Sequence, residues 1–299
     1  MLDLSAPLLS SGDYARELIH RQTRRLGKLQ AEVLADRDPE ALHQLRVSLR
    51  RLRTALSQFA AALVIPDAIT DRRIARVARR TGLTRDLDVM RAKLTASWLP
   101  MLPDPERKTL KPVLKQLERD RQMAFDGLAA TLREGPYLKM LARLHKWQQS
   151  PRFTAIGARP LRGWLFEWLA QSIGGLFLQT GWCASDPHDG SLHDLRKTIK
   201  GVRYSLEVLE PFACPALGGW VADLRRAQDC LGDLHDLQVL AAALSDELER
   251  DLARAVPTLH QAIERQQAER WGEWLACSEL LLSETRRREL KNSLIETTA

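Results

Sequence analysis

Leu42-His43-Gln44-Leu45-Arg46-Val47-Ser48-Leu49-Arg50-Arg51-Leu52-Arg53 reads as one helix carrying two adjoining stripes. At about 100° per residue, Leu42, Leu45, Leu49, Leu52 and Leu56 share one arc, which predicts a core-facing face. His43, Arg46, Arg50 and Arg53 follow an i, i+3, i+7, i+10 spacing on a second arc beside the leucines. A solvated charge face normally lies across the helix from the core and mixes both signs. This one borders the core edge and is wholly cationic. Such a helix can line a groove with fixed positive charge.

Working outward, the punctuation of the chain predicts helices almost throughout. Ser10 or Ser11 caps a first long helix to about Arg37, and Asp38-Pro39 breaks it, with Pro39 suited to the first turn of the next. The quoted helix continues to about Leu63. A strongly basic helix from Asp67 ends near Arg80, where Thr81-Gly82 reads as a stop, and another starts at Asp86 and runs to Trp98. A long charged helix spans about Asp104 to Arg133, followed by Pro136 to Gln149. Ser150 to Pro160 reads as a linker. A helix from Pro160 to Trp182 and another from about Ser191 follow.

That last helix repeats the quoted one. At the shift that carries His43 onto His193, Leu42, Leu45, Arg46, Arg53 and Leu56 fall on Leu192, Leu195, Arg196, Arg203 and Leu206. Arg50 falls on Lys200, Arg76 on Arg226, and Lys197 adds a charge. A second block matches without a gap: Gly82, Asp86, Leu87 and Val89 fall on Gly232, Asp236, Leu237 and Val239. Two separated blocks agreeing at one offset indicate internal duplication. The expected domains are a short tail over residues 1–10, a first helical repeat over 11–150 and a second over 151–299. Two such units are expected to pack about a pseudo-twofold axis, with their cationic stripes on one central cavity. The halves differ in places: Arg51 becomes Gly201 and Arg85 becomes His235, so the first half is richer in arginine.

Composition agrees with an all-α class. The 299 residues are rich in Leu, Ala, Arg and Glu and carry a formal net charge of +7. That balance favours polyanionic partners: nucleic acid, an anionic membrane or a polyphosphorylated ligand. Cys183, Cys214, Cys230 and Cys277 form no C-x-x-C pair and read as reduced thiols of a cytoplasmic protein. The first residues show no basic region ahead of an apolar run, so no signal peptide is expected. The charge-free run Trp168 to Ser185 holds polar residues and two glycines, and reads as a buried helix rather than a membrane span.

Each candidate has a plainer alternative. The basic stripes are either an anion site or a solvated face with scattered salt bridges. Arginine presents a planar fork to phosphate oxygens. A polyanion without bases needs cationic rows but neither stacking aromatics nor a Gly-rich loop, and both are missing here. His43 and His193 have three readings: phosphate donor, structural histidine or metal ligand. Each is followed three residues on by arginine, which disfavours a cation. Asp86 and Asp236 read as capping or arginine-pairing residues rather than catalytic acids. Trp164 with Trp168 and Trp271 with Trp274 read as packing pairs, and Arg286-Arg287-Arg288 as a surface run. No helix-turn-helix, RNA-binding or zinc pattern is present. No cluster of acidic metal ligands or activated nucleophile stands among the arginines, so no enzyme, metal or cofactor is expected.

LHQLRVSLRRLR and LHDLRKTIKGVRYSLE resemble the two signature helices of the CHAD domain, the conserved histidine α-helical domain. GLTRDLDVM and GDLHDLQVL resemble its second repeated motif, and the likeness runs from about Ser11 to Ile295. The resemblance implies two four-helix-like bundles around a basic central cavity and binding of inorganic polyphosphate. It places phosphate contacts on His43, Arg46, Arg50, Arg53, His193, Arg196, Lys197, Lys200 and Arg203, with Arg76 and Arg226 as further contributors. Tyr204 matches the family's R-Y pair. No E-x-E-x-K motif marks a CYTH-type triphosphate tunnel domain, so a stand-alone protein is expected. The implied setting is the cytoplasm, with polyphosphate granules or polyphosphate-metabolising enzymes as partners; a nucleic-acid or other polyanion binder is the alternative.

Overall fold

The computed structural model describes residues 9–249 and 251–297, so most of the expected tail and the start of the chain lie outside the described residues. Within these, the architecture is all-α. Its only β features are the isolated bridges Ser10 to Pro160 and Leu63 to Phe153. The helices are α1 (Ser11–Ala35), α2 (Pro39–Gln58), α3 (Asp71–Lys93), α4 (Asp104–Arg133), α5 (Gly135–Gln149), α6 (Leu165–Ile173), α7 (Ser191–Leu209), α8 (Pro215–Leu248), α9 (Leu252–Ala255), α10 (Pro257–Leu282) and α11 (Glu284–Glu296). They form two compact units. The first comprises residues 1–91 and 117–164, the second 92–116 and 165–299. α4 therefore contributes its first part to one unit and its remainder to the other.

In the first unit α1 packs against α2 and α5. Ser10 caps α1 by accepting from the Asp13 amide at 3.0 Å, and Asp38 caps α2 by accepting from the Glu40 amide at 2.8 Å ahead of Pro39. Leu42, Leu45, Leu49 and Leu52 are buried as their spacing requires, while Leu56 is half-buried. α2 stops at Gln58, short of the expected Leu63, and a 3-10 turn over Ala60–Ala62 finishes it. The segment expected as a linker is packed structure. Thr154 Oγ1 donates to the Ala61 carbonyl at 2.6 Å, the Val64 amide donates to the Arg152 carbonyl at 3.0 Å, and Gly157 lies so close to the Ala62 carbonyl that a Cβ there would collide with it.

In the second unit α8 packs against α7 and α10, and α11 against α8 and α6. The expected Pro160–Trp182 helix is broken. α6 ends at Ile173 before Gly174-Gly175, and 3-10 turns over Leu176–Leu178 and Thr180–Cys183 replace the rest. Paired glycines make continued helix costly, and the residues beyond serve the core instead. Trp182 stacks on Trp274 with ring centroids 5.6 Å apart, and Phe177 meets the buried Trp220 edge-on at 6.1 Å.

The largest departure from the sequence reading concerns Gly82. α3 runs through Thr81-Gly82 without a stop, so the two expected helices are one, and Asp86 lies inside it rather than at a start. α8 passes through Gly232 in the same way. Tertiary contact explains Gly82, where a Cβ would collide with Arg46; at Gly232 a Cβ would stand at ordinary contact distance from Arg196.

Candidate phosphate-binding rows

The α2 row begins from burial. With the leucines inside, His43, Arg46, Arg50 and Arg53 emerge half-buried along the core edge. Arg46 lies across α3 at Gly82, where a Cβ would collide with its guanidinium, and its terminal nitrogen stands 3.8 Å from the Asp86 carboxylate. The glycine that looks like a helix stop is thus a gap for an arginine. Arg53 makes a two-pronged pair with Asp71, at 2.7 and 3.0 Å, and Arg76 on α3 donates to Glu134 at 3.1 Å. These pairs are solvent-exposed and each is worth about 1 kcal/mol or less.

The α7 row has the same spacing and different circumstances. Arg196 approaches Gly232 of α8, its side-chain nitrogens 3.6 and 3.7 Å from where a Cβ would stand. Among the described residues no carboxylate pairs with Arg196, and its Nε is buried without a hydrogen-bond partner. His193 is exposed, and its ring lies 5.1 Å, centroid to centroid, from that of His235 on α8. Partial burial, and then the charges of Lys197, Arg196 and Lys200, hold the His193 imidazole below the usual histidine pKa, against the opposing pull of Asp194. Lys197 pairs with Asp194 at 3.1 Å, and both are exposed.

Arg203 is placed apart from this open edge. Its side chain is 8% exposed, it donates to Glu207 and, at 3.1 Å, to Gln228, and its guanidinium lies 4.1 Å over the Tyr204 ring. Ten residues at about 100° each bring the last row position some 80° round from the first, toward the apolar stripe; Arg53 at the same offset in α2 stays 41% exposed, so the difference comes from the partners Glu207, Gln228 and Tyr204. Arg225 also donates to Glu207, at 2.8 Å, so Glu207 collects two arginines. Arg226 pairs with the buried Asp223 at 2.9 Å. Asp223 also accepts from Arg286, whose guanidinium lies 5.2 Å from the Trp220 ring centroid; this arginine ties α11 to α8 rather than lying in a loose surface run.

The structure thus groups His43, Arg46, Arg50 and Arg53 along α2 with Arg76 on α3. It groups His193, Arg196, Lys197 and Lys200 along α7, with Arg203 beneath them and Arg226 on α8. Sequence reasoning missed His235, which the repeat could have flagged as the replacement for Arg85. It also missed the carboxylate partners Asp71, Glu134 and Glu207. The described residues hold no group of three or more His, Cys, Asp or Glu able to take a metal ion, and no helix is long and apolar enough to cross a membrane.

A CHAD domain family model matches residues 17–245, more than half of the chain and spanning both rows. The chain belongs to the CHAD domain family. Two solved structures share its fold. The CHAD domain from the plant Ricinus communis is 22% identical, with a TM-score of 0.62 over 98% of this chain and 94% of that one. PptA from Streptomyces chartreusis is 19% identical, with a TM-score of 0.61 over 94% of this chain and 99% of that one. A comparison with curated protein sequences returned no match. CHAD domains are associated with polyphosphate, and family membership brings that association to this chain in general terms.

Proposed function

We propose that this CHAD protein binds inorganic polyphosphate without cleaving it, through the cationic rows of α2 and α7. The observation that carries this reading is the repeated row itself: a core-edge line of His, Arg, and Arg or Lys, whose second member in each unit rests at a helix-interior glycine and whose closing arginine stays open in the first unit and turns inward in the second. A glycine in a helix costs about 1 kcal/mol against alanine, so Gly82, where a Cβ would collide with Arg46, favours a purpose for the arginine it accommodates. Guanidinium groups fixed against a helix suit phosphate oxygens, and a ligand without bases needs no stacking platform. In the first unit phosphate replaces Asp86, Asp71 and Glu134 as the partner of Arg46, Arg53 and Arg76. In the second it meets an Arg196 that, among the described residues, has no carboxylate to give up. Each row offers successive cations to successive phosphates of one chain. The protein then acts in the cytoplasm as an accessory or targeting module of polyphosphate metabolism or granules.

Titration with polyphosphates of several lengths tests the reading. Arg46→Ala combined with Arg196→Ala weakens binding at least tenfold while far-UV circular dichroism is unchanged; undiminished binding refutes it. Nucleic acid is the second reading, because the same charge attracts any phosphate backbone. Competition separates the two: RNA displacing long-chain polyphosphate at equal phosphate concentration favours nucleic acid.

A further inference from the structure

The two units differ most where the repeat sets His235 against Arg85. α7 and α8 bring His193 and His235 together, with ring centroids 5.1 Å apart and ring planes inclined at 40°. Gly232, the glycine beneath Arg196, lies three residues before His235, almost one turn back on α8. Two imidazoles and a guanidinium therefore gather at one place. The charged groups acting on His193 from its own helix are Arg196, Lys197, Lys200 and Asp194, and His235 faces it from α8. Asp233 and Asp236 flank His235 along α8, and Asp233 lies 3.8 Å from Arg270.

We propose that His235 is a phosphate contact of the second unit and that, together with His193, it makes this unit's hold on polyphosphate proton-dependent, an inference resting on the polyphosphate reading above. A neutral imidazole offers one N–H donor, and an imidazolium offers two donors and a charge. In the free protein a proton on one ring resists a proton on the other, and the neighbouring cations resist both. A polyanion reverses that field, so binding draws protons in. Affinity then rises as pH falls through the histidine range, by up to about tenfold per pH unit for each proton fully taken up. In the first unit the matching position is Arg85, a guanidinium that keeps its charge through this range. Mild acid thus shifts the grip toward the second unit.

Isothermal titration of the full chain with long-chain polyphosphate, at about pH 6 and about pH 8 in buffers of different ionisation heat, counts the protons taken up. Wild type is expected to bind more tightly at the lower pH. His235→Gln is expected to lose a clear part of the proton uptake, and His235→Arg to bind tightly at both pH values with a flattened response. Proton uptake unchanged in His235→Gln overturns the proposal. A nuclear magnetic resonance titration of the His235 imidazole in wild type removes any dependence on variants: its midpoint moves to higher pH with polyphosphate present, and an unmoved midpoint also overturns it. Binding without this proton linkage defeats this inference alone, whereas no binding at any pH defeats the polyphosphate reading as well.

Discussion

Arg46 and Arg196 hold equivalent places and face different electrostatic starting points. Arg46 must leave Asp86 to meet a ligand, while among the described residues Arg196 has no such partner and a buried Nε without an acceptor. A charge-assisted hydrogen bond is worth about 1.5–3 kcal/mol, and an exposed pair returns about 1 kcal/mol or less when broken. Arg196→Ala is therefore expected to weaken polyphosphate binding more than Arg46→Ala, by about 1 kcal/mol. Dissociation constants of the two single variants at fixed pH and salt decide it, and equal losses would remove the distinction. Both arginines were legible as row members from spacing alone. Their partners were not, because Asp71, Glu134 and Glu207 reach the rows through tertiary structure, and helical spacing reports only on neighbours along one helix. Arg203 shows the limit from the other side: its place in the pattern is the same as that of Arg53, yet Glu207, Gln228 and the Tyr204 ring draw it inward while Arg53 stays open.

At the scale of elements, Gly82 and Gly232 are visible as a repeated pair, and Gly82 reads as a stop that the structure does not have. Intrinsic propensity makes glycine a helix terminator, and here the packing of Arg46 overrides it. Gly82→Ala consequently sets two effects against each other. Alanine favours the helix by about 1 kcal/mol, while its Cβ displaces the guanidinium. The expected outcome is an unchanged or raised melting temperature with weakened polyphosphate binding; a variant that binds as wild type would show that the arginine's position there is immaterial. Another element-level contact fixes α4 within the first unit. Arg121 is 10% exposed, donates to Asp88 at 2.9 Å and to both oxygens of Asp36, the left-handed residue that ends α1. Removing one member of such a buried set leaves charges stranded, so Arg121→Ala is expected to lower stability by about 3–5 kcal/mol in denaturant unfolding. The sequence offers no hint of this triad, whose members lie on three helices. The helices themselves were legible wherever a cap and an apolar period agreed, as at Ser10 and Asp38. They were lost where glycine pairs let the core recruit the chain, as after Ile173.

For the whole molecule, the helical class followed from composition and from the repeated motif. A formal charge of +7 dispersed over the surface says little, but rows fixed along α2 and α7 do. Each phosphate neutralised releases condensed counterions, so log affinity for polyphosphate is expected to fall linearly and steeply with log salt concentration. Titrations from low to moderate salt check this, and a flat response would remove the electrostatic mechanism.

Asp71, Asp86 and Glu134 also bear on what the protein ignores. Each is a competitor tethered beside its arginine, at an effective concentration on the order of millimolar or more. A lone orthophosphate or chloride ion must outcompete that tethered carboxylate at every arginine separately. A polymer that has displaced one carboxylate is itself tethered, and meets the next on equal terms. On the polyphosphate reading, the first unit is expected to favour joined phosphates over the small anions around it, each pair setting a lone anion back by about 1 kcal/mol or less.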